Sequence, residues 1–403
     1  MKTVRRCLSA TLLIYASLMA LTSLLGGLPA PLGAGSAAWV KLWQPVVGWV
    51  GVHGFHLEPE ALASDFGDSD FFYLLSLCFL VAAAVGGTVW GMLDRAEGGQ
   101  RASALNLALR AWLASALFGY GFVKVFPSQF PWPDAGTLTT RVGDLSPSGL
   151  YWAAMGHAPA YASFAGLLET GAGLLLLARR TSLAGALLAA GVLANVVMVN
   201  YCYAVGVFFL SLQLLAAALL LVALEAPRIW AFILGGEAPP CRTAPTPRPL
   251  RWAASVLLAL VLGGSAVGGW RAWRAQAARR SAPLAGAYEP ESFAMDGQDR
   301  PLLITDGACW KRVWIADLAP VLYTYAMDGT AHGFHMKLDE VAGLMTLEGP
   351  SIKGPSTLHF GVPDPGHLTL DGMLGEHRIS IRLRKVDLEK LPLRSEPFRW
   401  IHD

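Results

Sequence analysis

About seven stretches of mostly apolar residues, each near membrane-span length, punctuate this chain and restrict its fold more than any other feature. Backbone polar groups in hydrocarbon must bond to one another, so helices and closed barrels alone cross a bilayer, and a helix needs roughly 20 residues to do so. The composition agrees, with 54% hydrophobic and 15% charged residues over 403 positions. This is the signature of a polytopic α-helical membrane protein, with the lipid bilayer as its first partner. A net charge of +2, with arginines gathered at span ends, gives no footing for nucleic acid.

Lys2, Arg5 and Arg6 precede an apolar run over residues 8–25, which reads as a signal peptide or a first anchor. Its length favours the anchor. Residues 26–70 form a polar-aromatic loop in which Trp43 and Trp49 suit short amphipathic helices at the outer interface. Further spans fall at 71–93, 104–125, 160–178, 182–203, 206–224 and 252–270, the fifth and sixth forming a tight hairpin. A Pro-rich loop separates the third and fourth spans, and a Pro-rich linker, GGEAPPCRTAPTPRP, should be poorly ordered. From about residue 285 apolar residues alternate with polar ones between Asp-Gly, Gly-Pro and Pro-Asp-Pro-Gly turns. That pattern predicts a small antiparallel β-barrel or sandwich, with YAMDGTAHG as its clearest hairpin. The expected division is thus 1–103 (two spans and an exported loop), 104–225 (a four-helix membrane bundle), 226–250 (linker), 251–271 (seventh span) and 285–403 (β domain).

With seven alternating spans, Arg5, Arg6, Arg95, Arg101, Arg179, Arg180, Arg228, Arg242 and Arg248 share one side, against Lys41, Lys124 and Arg141 on the other. The positive-inside rule then puts the amino terminus in the cytoplasm of a bacterial inner (cytoplasmic) membrane and exports the β domain. Arg271, Arg274, Arg279 and Arg280 run against this, although long domains translocate despite such charge.

One carboxylate, Glu169, lies mid-span in AGLLETGAGLLLLARR. A charge there costs roughly 2.5–3.5 kcal/mol on insertion scales, so it should face the bundle interior and hold a partner. At about 1.5 Å rise per residue, Arg110 lies roughly 10 Å from the inner end of its span, Glu169 roughly 15 Å and Lys124 roughly 30 Å. Arg110 is therefore the nearer partner, unless the fourth span begins well after Pro159. Gln213 and Asn195 come out at roughly 18 and 21 Å, able to converge with Glu169 on one polar pocket. Either a ligand or proton site or ordinary interhelical bonding satisfies this pattern. Tyr120, Lys124, Asn200 and Tyr201 form a second polar group at the outer end, where a lysine commonly snorkels to the interface. Ala162, Gly166 and Thr170 make a small-residue stripe for close helix packing.

Arg110, then Gly121-Phe-Val-Lys124, then Glu169-Thr-Gly-Ala-Gly173 resemble the DoxX family of small bacterial membrane proteins. Those are four-helix bundles with an early arginine, a Gly-x-x-Lys near the end of its helix, and a Glu-x-x-Gly-Gly-like motif in the next. Ala172 replaces one glycine here. The resemblance covers residues 104–225 and implies the bundle fold. Some members are similar to subunits of quinol oxidases or thiosulfate–quinone oxidoreductases. It therefore implies an accessory or ligand-binding subunit linked to quinone chemistry, with other membrane redox subunits as partners and no established activity of its own.

Cys7, Cys78, Cys202, Cys241 and Cys309 are scattered without a CxxC, and no nucleophile, phosphate-loop or zinc motif appears. The third to sixth spans contain no histidine, which argues against haem. His53 and His56 could share a helix face, while His332 and His335 would oppose one another on a strand, so no metal is expected. The β domain's Asp317, Asp328, Asp339, Glu340, Asp364 and Asp371 fall in turns, and at this length a packed core is expected over a ligand cavity. Two other roles stay open: a scaffold whose β domain binds an envelope protein, and a carrier of small apolar molecules.

Overall fold

The computed structural model describes residues 2–29, 34–62, 67–93, 98–237, 247–279, 284–303, 306–316, 319–352 and 354–395. Cys241, Asp317, Arg95, Arg242 and most of the Pro-rich linker lie outside them. The helices are α1 (Lys2–Gly27), α2 (Ala34–Phe55), α3 (Asp70–Leu93), α4 (Gly98–Val125), α5 (Ala135–Thr139), α6 (Pro147–His157), α7 (Pro159–Leu177), α8 (Ser182–Cys202), α9 (Phe208–Leu224), α10 (Ala226–Ile233), α11 (Arg248–Arg279) and α12 (Pro392–Ser395). Between α11 and α12 come β1 (Gly286–Met295), β2 (Gln298–Asp299), β3 (Trp310–Ile315), β4 (Val321–Ala326), β5 (Ala331–Asp339), β6 (Leu344–Glu348), β7 (Ser356–Asp364), β8 (His367–Leu374) and β9 (His377–Lys385). The chain divides into two units: Met1–Phe130 with Ala158–Trp273, and Pro131–His157 with Arg274–Asp403.

In the helical unit α4 is the hub, packed against α1, α7 and α9. Among the described residues, six helices are long and apolar enough to cross a membrane: α1, α3, α4, α7, α8 and α11. The seventh expected span, α9, is a shorter apolar helix of 17 residues. Glycines set the closest approaches. A Cβ on Gly91 of α3 would fall 2.6 Å from the Cys7 backbone, and one on Gly87 would fall 2.3 Å from Thr11 Oγ1. The α1 and α3 backbones thus touch, as small residues allow inside lipid. α1 packs on α4 as closely as on α3, so no domain boundary falls at residue 103. α2 corrects another expectation. It is one continuous 22-residue helix that includes Pro45, rather than several short ones. Trp39 and Trp43 pack their rings on Phe79, and Trp39 Nε1 donates to Thr22 Oγ1 at 3.0 Å, so Trp43 packs half-buried against the core of the unit, whereas Trp49 is exposed.

The second unit is an eight-stranded antiparallel barrel. β1 and β3 to β9 pair in sequence and β1 closes on β9, while the two-residue β2 flanks β1. Alternation decides the faces: along β9, Ile379, Ile381 and Leu383 point inward while Arg378, Arg382 and Arg384 point out. Eight strands leave an interior wide enough for side chains alone, and Val313, Leu322, Phe334, Leu347 and Leu370 help fill it. The predicted hairpin joins β4 to β5. Gly329 there takes φ +93°, and the Asp328 carboxylate accepts the Thr330 N–H at 2.9 Å. Asp339 and Asp364 cap their turns in the same way.

Residues 131–157, expected as a loop of the membrane bundle, belong instead to the barrel unit. Asp134 caps α5 through the Thr137 N–H, and Arg312 of β3 donates to the Thr139 carbonyl. Gly136 sits so close to Trp314 that a Cβ would fall 2.4 Å from the ring, which itself stacks on Tyr323 at 4.6 Å.

Candidate functional site

The α4–α7 crossing builds the site. Where α7 meets the end of α4, neither helix has room for side chains. A Cβ on Gly121 would fall 2.4 Å from Thr170 Oγ1, and one on Gly166 would fall 2.5 Å from the Gly121 carbonyl. The Ala162, Gly166, Thr170 stripe is the buried face of this contact. Lys124 lies beside Gly166, two helical turns inside α7 rather than at its start. Its chain therefore needs to reach one further turn, and Nζ sits 2.8 Å from both Glu169 carboxylate oxygens. Glu169 is 3% exposed and Lys124 8%. The carboxylate faces inward and is paired, as its cost in lipid requires.

That pairing corrects the expected Arg110–Glu169 bond and the expected snorkelling of Lys124. The inner ends of the third and fourth spans are not level: Arg110, well inside α4, already lies beside the last carbonyls of α7, which brings Glu169 up to the level of Lys124. Arg110 does different work. Its Nε donates to the Leu176 carbonyl at 2.6 Å and its Nη2 to the Leu177 carbonyl at 2.5 Å. The last carbonyls of a helix lack intrahelical donors and carry the negative end of its dipole, so a guanidinium there is favourable twice over. Ser163 returns the favour from α7, donating to the Val125 carbonyl at the end of α4 at 3.1 Å. Each helix of the pair caps the other.

Tyr120 lies one turn before Lys124, with Nζ 5.8 Å from its ring centroid. Tyr120 as a residue is 36% exposed, so the ion pair adjoins a residue that reaches the surface of the helical unit. None of the other expected residues hydrogen-bonds to Glu169. Asn195 is exposed on the outer face of α8, a correction to its predicted inward placement. Asn200 locks the α8–α9 turn, donating to Ser211 Oγ at 3.1 Å and to the Val207 carbonyl at 3.3 Å. Tyr201 is exposed and packs its ring near Phe208. Gln213 is the informative remainder: its carboxamide oxygen and nitrogen are both buried with no hydrogen-bond partner among the described residues. Such a group calls for a water or ligand to satisfy it.

Asp68 is a residue that sequence reasoning missed. Its carboxylate accepts the N–H groups of Phe208 at 2.7 Å and Phe209 at 3.1 Å, the first turn of α9. A signal was present: Val207, which precedes this helix, cannot cap it, so the orphan N–H groups needed an acceptor from elsewhere. Among the described residues no group of three His, Cys, Asp or Glu is placed to hold a metal. His53 bonds the Trp49 carbonyl, and His56 lies beyond the end of α2, so the pair do not share a helix face.

No protein-family model and no solved structure matches the chain. A protein of Bacillus subtilis (strain 168), the uncharacterized protein YwoB, is 31% identical to it over 135 residues, 32% of this chain and 84% of the Bacillus protein. The chain belongs to the YwoB family. Kinship with YwoB brings no chemistry by name, and it accounts for about a third of the residues here. The remainder is sequence that the YwoB match does not reach.

Proposed function

We propose that this protein is an accessory, ligand-binding subunit of a bacterial inner membrane, linked to quinone-dependent redox chemistry. The observation that carries the reading is the buried Lys124–Glu169 pair beside the partly exposed Tyr120. A tyrosine that reaches the surface beside a buried ammonium suits the carbonyl oxygen of a lipid-soluble quinone entering from that side. Glu169 holds the ammonium in place and offsets the cost of placing a charge at that depth. Lys124 and Glu169 are also among the residues, with Arg110 and the flanking glycines, that carry the resemblance to the DoxX family. Arg110 and Asn195 have no part in this binding.

Orientation follows from the arginines: the amino terminus in the cytoplasm, α9 crossing as a seventh span, and the barrel on the outer face. A test is to extract lipids from purified wild-type, Glu169→Gln and Tyr120→Phe protein and measure co-purifying quinone. The reading expects quinone in near-stoichiometric amount with the wild type and a loss of roughly tenfold in each variant. Absence of quinone from the wild type, with no binding of added ubiquinone or menaquinone, would sink it.

A scaffold role is favoured by a different observation, the filled barrel interior. A solid barrel recognises partners by its outer surface, and capture of an envelope protein by the intact chain, undiminished in Glu169→Gln, would support that reading instead.

A further inference from the structure

Asn195 sits on the outside of a helix that is otherwise built for lipid. α8 is one of the six helices apolar enough to span, and Asn195 lies seven residues before its end, about 10 Å inside the hydrocarbon. Its side chain is exposed and makes no hydrogen bond to any described residue. A carboxamide in hydrocarbon has no water to bond and is costly unless another chain supplies a donor and an acceptor.

The surroundings narrow the occupant. One turn earlier, Gly191 is exposed, and a Cβ there would meet nothing within 4 Å, so a neighbouring backbone can come close. Ala194 and Met198 share the exposed face, and Cys202, seven residues on, is exposed as well. A carboxamide is its own complement, since it carries both donor and acceptor. Copies of one chain lie in a membrane with the same orientation, so a two-fold axis along the membrane normal sets each residue at its own depth against itself.

We propose that α8 is the interface of a homodimer, in which the Asn195 carboxamides of two copies hydrogen-bond reciprocally across a two-fold axis. Gly191 lets the two helices approach, as small residues do between membrane helices. Cys202, two turns along the same face, then lies near its own counterpart.

Purified full-length protein in phosphatidylethanolamine–phosphatidylglycerol vesicles contains no other polypeptide, so mild oxidation there tests the second copy alone. A disulfide dimer linked through Cys202, identified by peptide mass and absent in Cys202→Ser, is expected. Its yield should fall roughly tenfold in Asn195→Leu at equal lipid-to-protein ratio, for two lost intramembrane hydrogen bonds. Gly191→Leu should lower it similarly by blocking the approach. Leucine at either site suits a lipid-facing position, and an unchanged circular dichroism spectrum and melting profile would show that each variant folds. A wild type that stays monomeric, a dimer linked through another cysteine, or Asn195→Leu that cross-links as well as the wild type would each overturn the proposal. Cross-linking of Cys202 to a different protein in native membranes, with none in the vesicles, would overturn it in favour of a heterologous partner.

Discussion

Lys124 and Glu169 depend on each other. Removing one leaves a charge buried in an apolar helix pair, and breaking such a pair costs about 3–5 kcal/mol. Lys124→Met and Glu169→Leu alone should each destabilise the helical unit by that order, read as unfolding in mixed micelles. The double variant should recover most of the loss, because two apolar residues satisfy the interior as well as two paired charges do. If the pair exists for binding, the double variant stays folded yet loses quinone. The sequence made Glu169 legible, since a carboxylate within an apolar run has few places to go. It did not make the partner legible, because the residue opposite depends on where two helices start and stop. Asn195 was misplaced for a related reason: α8 is apolar on nearly all sides, so its hydrophobic pattern does not say which face turns inward.

At the scale of elements, the α4–α7 pair is held by glycine contact and by reciprocal capping at its two ends. Arg110→Ala should free the last turn of α7 and cost about 1.5–3 kcal/mol, the range for hydrogen bonds to a charged group. Amide exchange should quicken at Leu176 and Leu177 and their neighbours while the Lys124–Glu169 end stays protected. Arg110→Lys should rescue only part of this, since an ammonium cannot offer the planar fork that meets two carbonyls together. Asp68→Ala should cost about 1 kcal/mol by uncapping α9, visible as faster exchange in the Phe208 turn. Caps of this kind are hard to read in advance. Asp68 and Phe208 are far apart in the chain, and capping signals are local in sequence. The alternating strands were readable one by one. Closure into a barrel was not, because it rests on β1 pairing with β9 from the opposite end of the domain.

For the whole molecule, each unit has its own hydrophobic core, one among the helices and one inside the barrel. The two should therefore answer pH separately. On the barrel, hydrogen bonds from His377 and the Arg378 N–H hold the Asp296 carboxyl below its ordinary value of 3.8. The Ala308 N–H lowers Asp306, the Thr330 N–H lowers Asp328, and His367 lowers Asp364. Carboxyls that bind protons less tightly when folded stabilise the fold above 3.8, and that stability drains as pH falls through their lower native values. Tyr288 sets the opposite edge. Burial pushes its phenol from 10.0 up to about 12, so the folded barrel keeps a proton that the unfolded chain gives up. Its stabilisation is whole below 10 and is lost as pH climbs toward 12. Barrel stability, followed by near-ultraviolet circular dichroism, should hold a broad neutral plateau with an acid edge below 3.8 and an alkaline edge above 10. Tyr288→Phe should move the alkaline edge upward and leave the acid edge in place, because phenylalanine carries no proton to lose. An alkaline edge unmoved by that substitution would assign the loss to some other group.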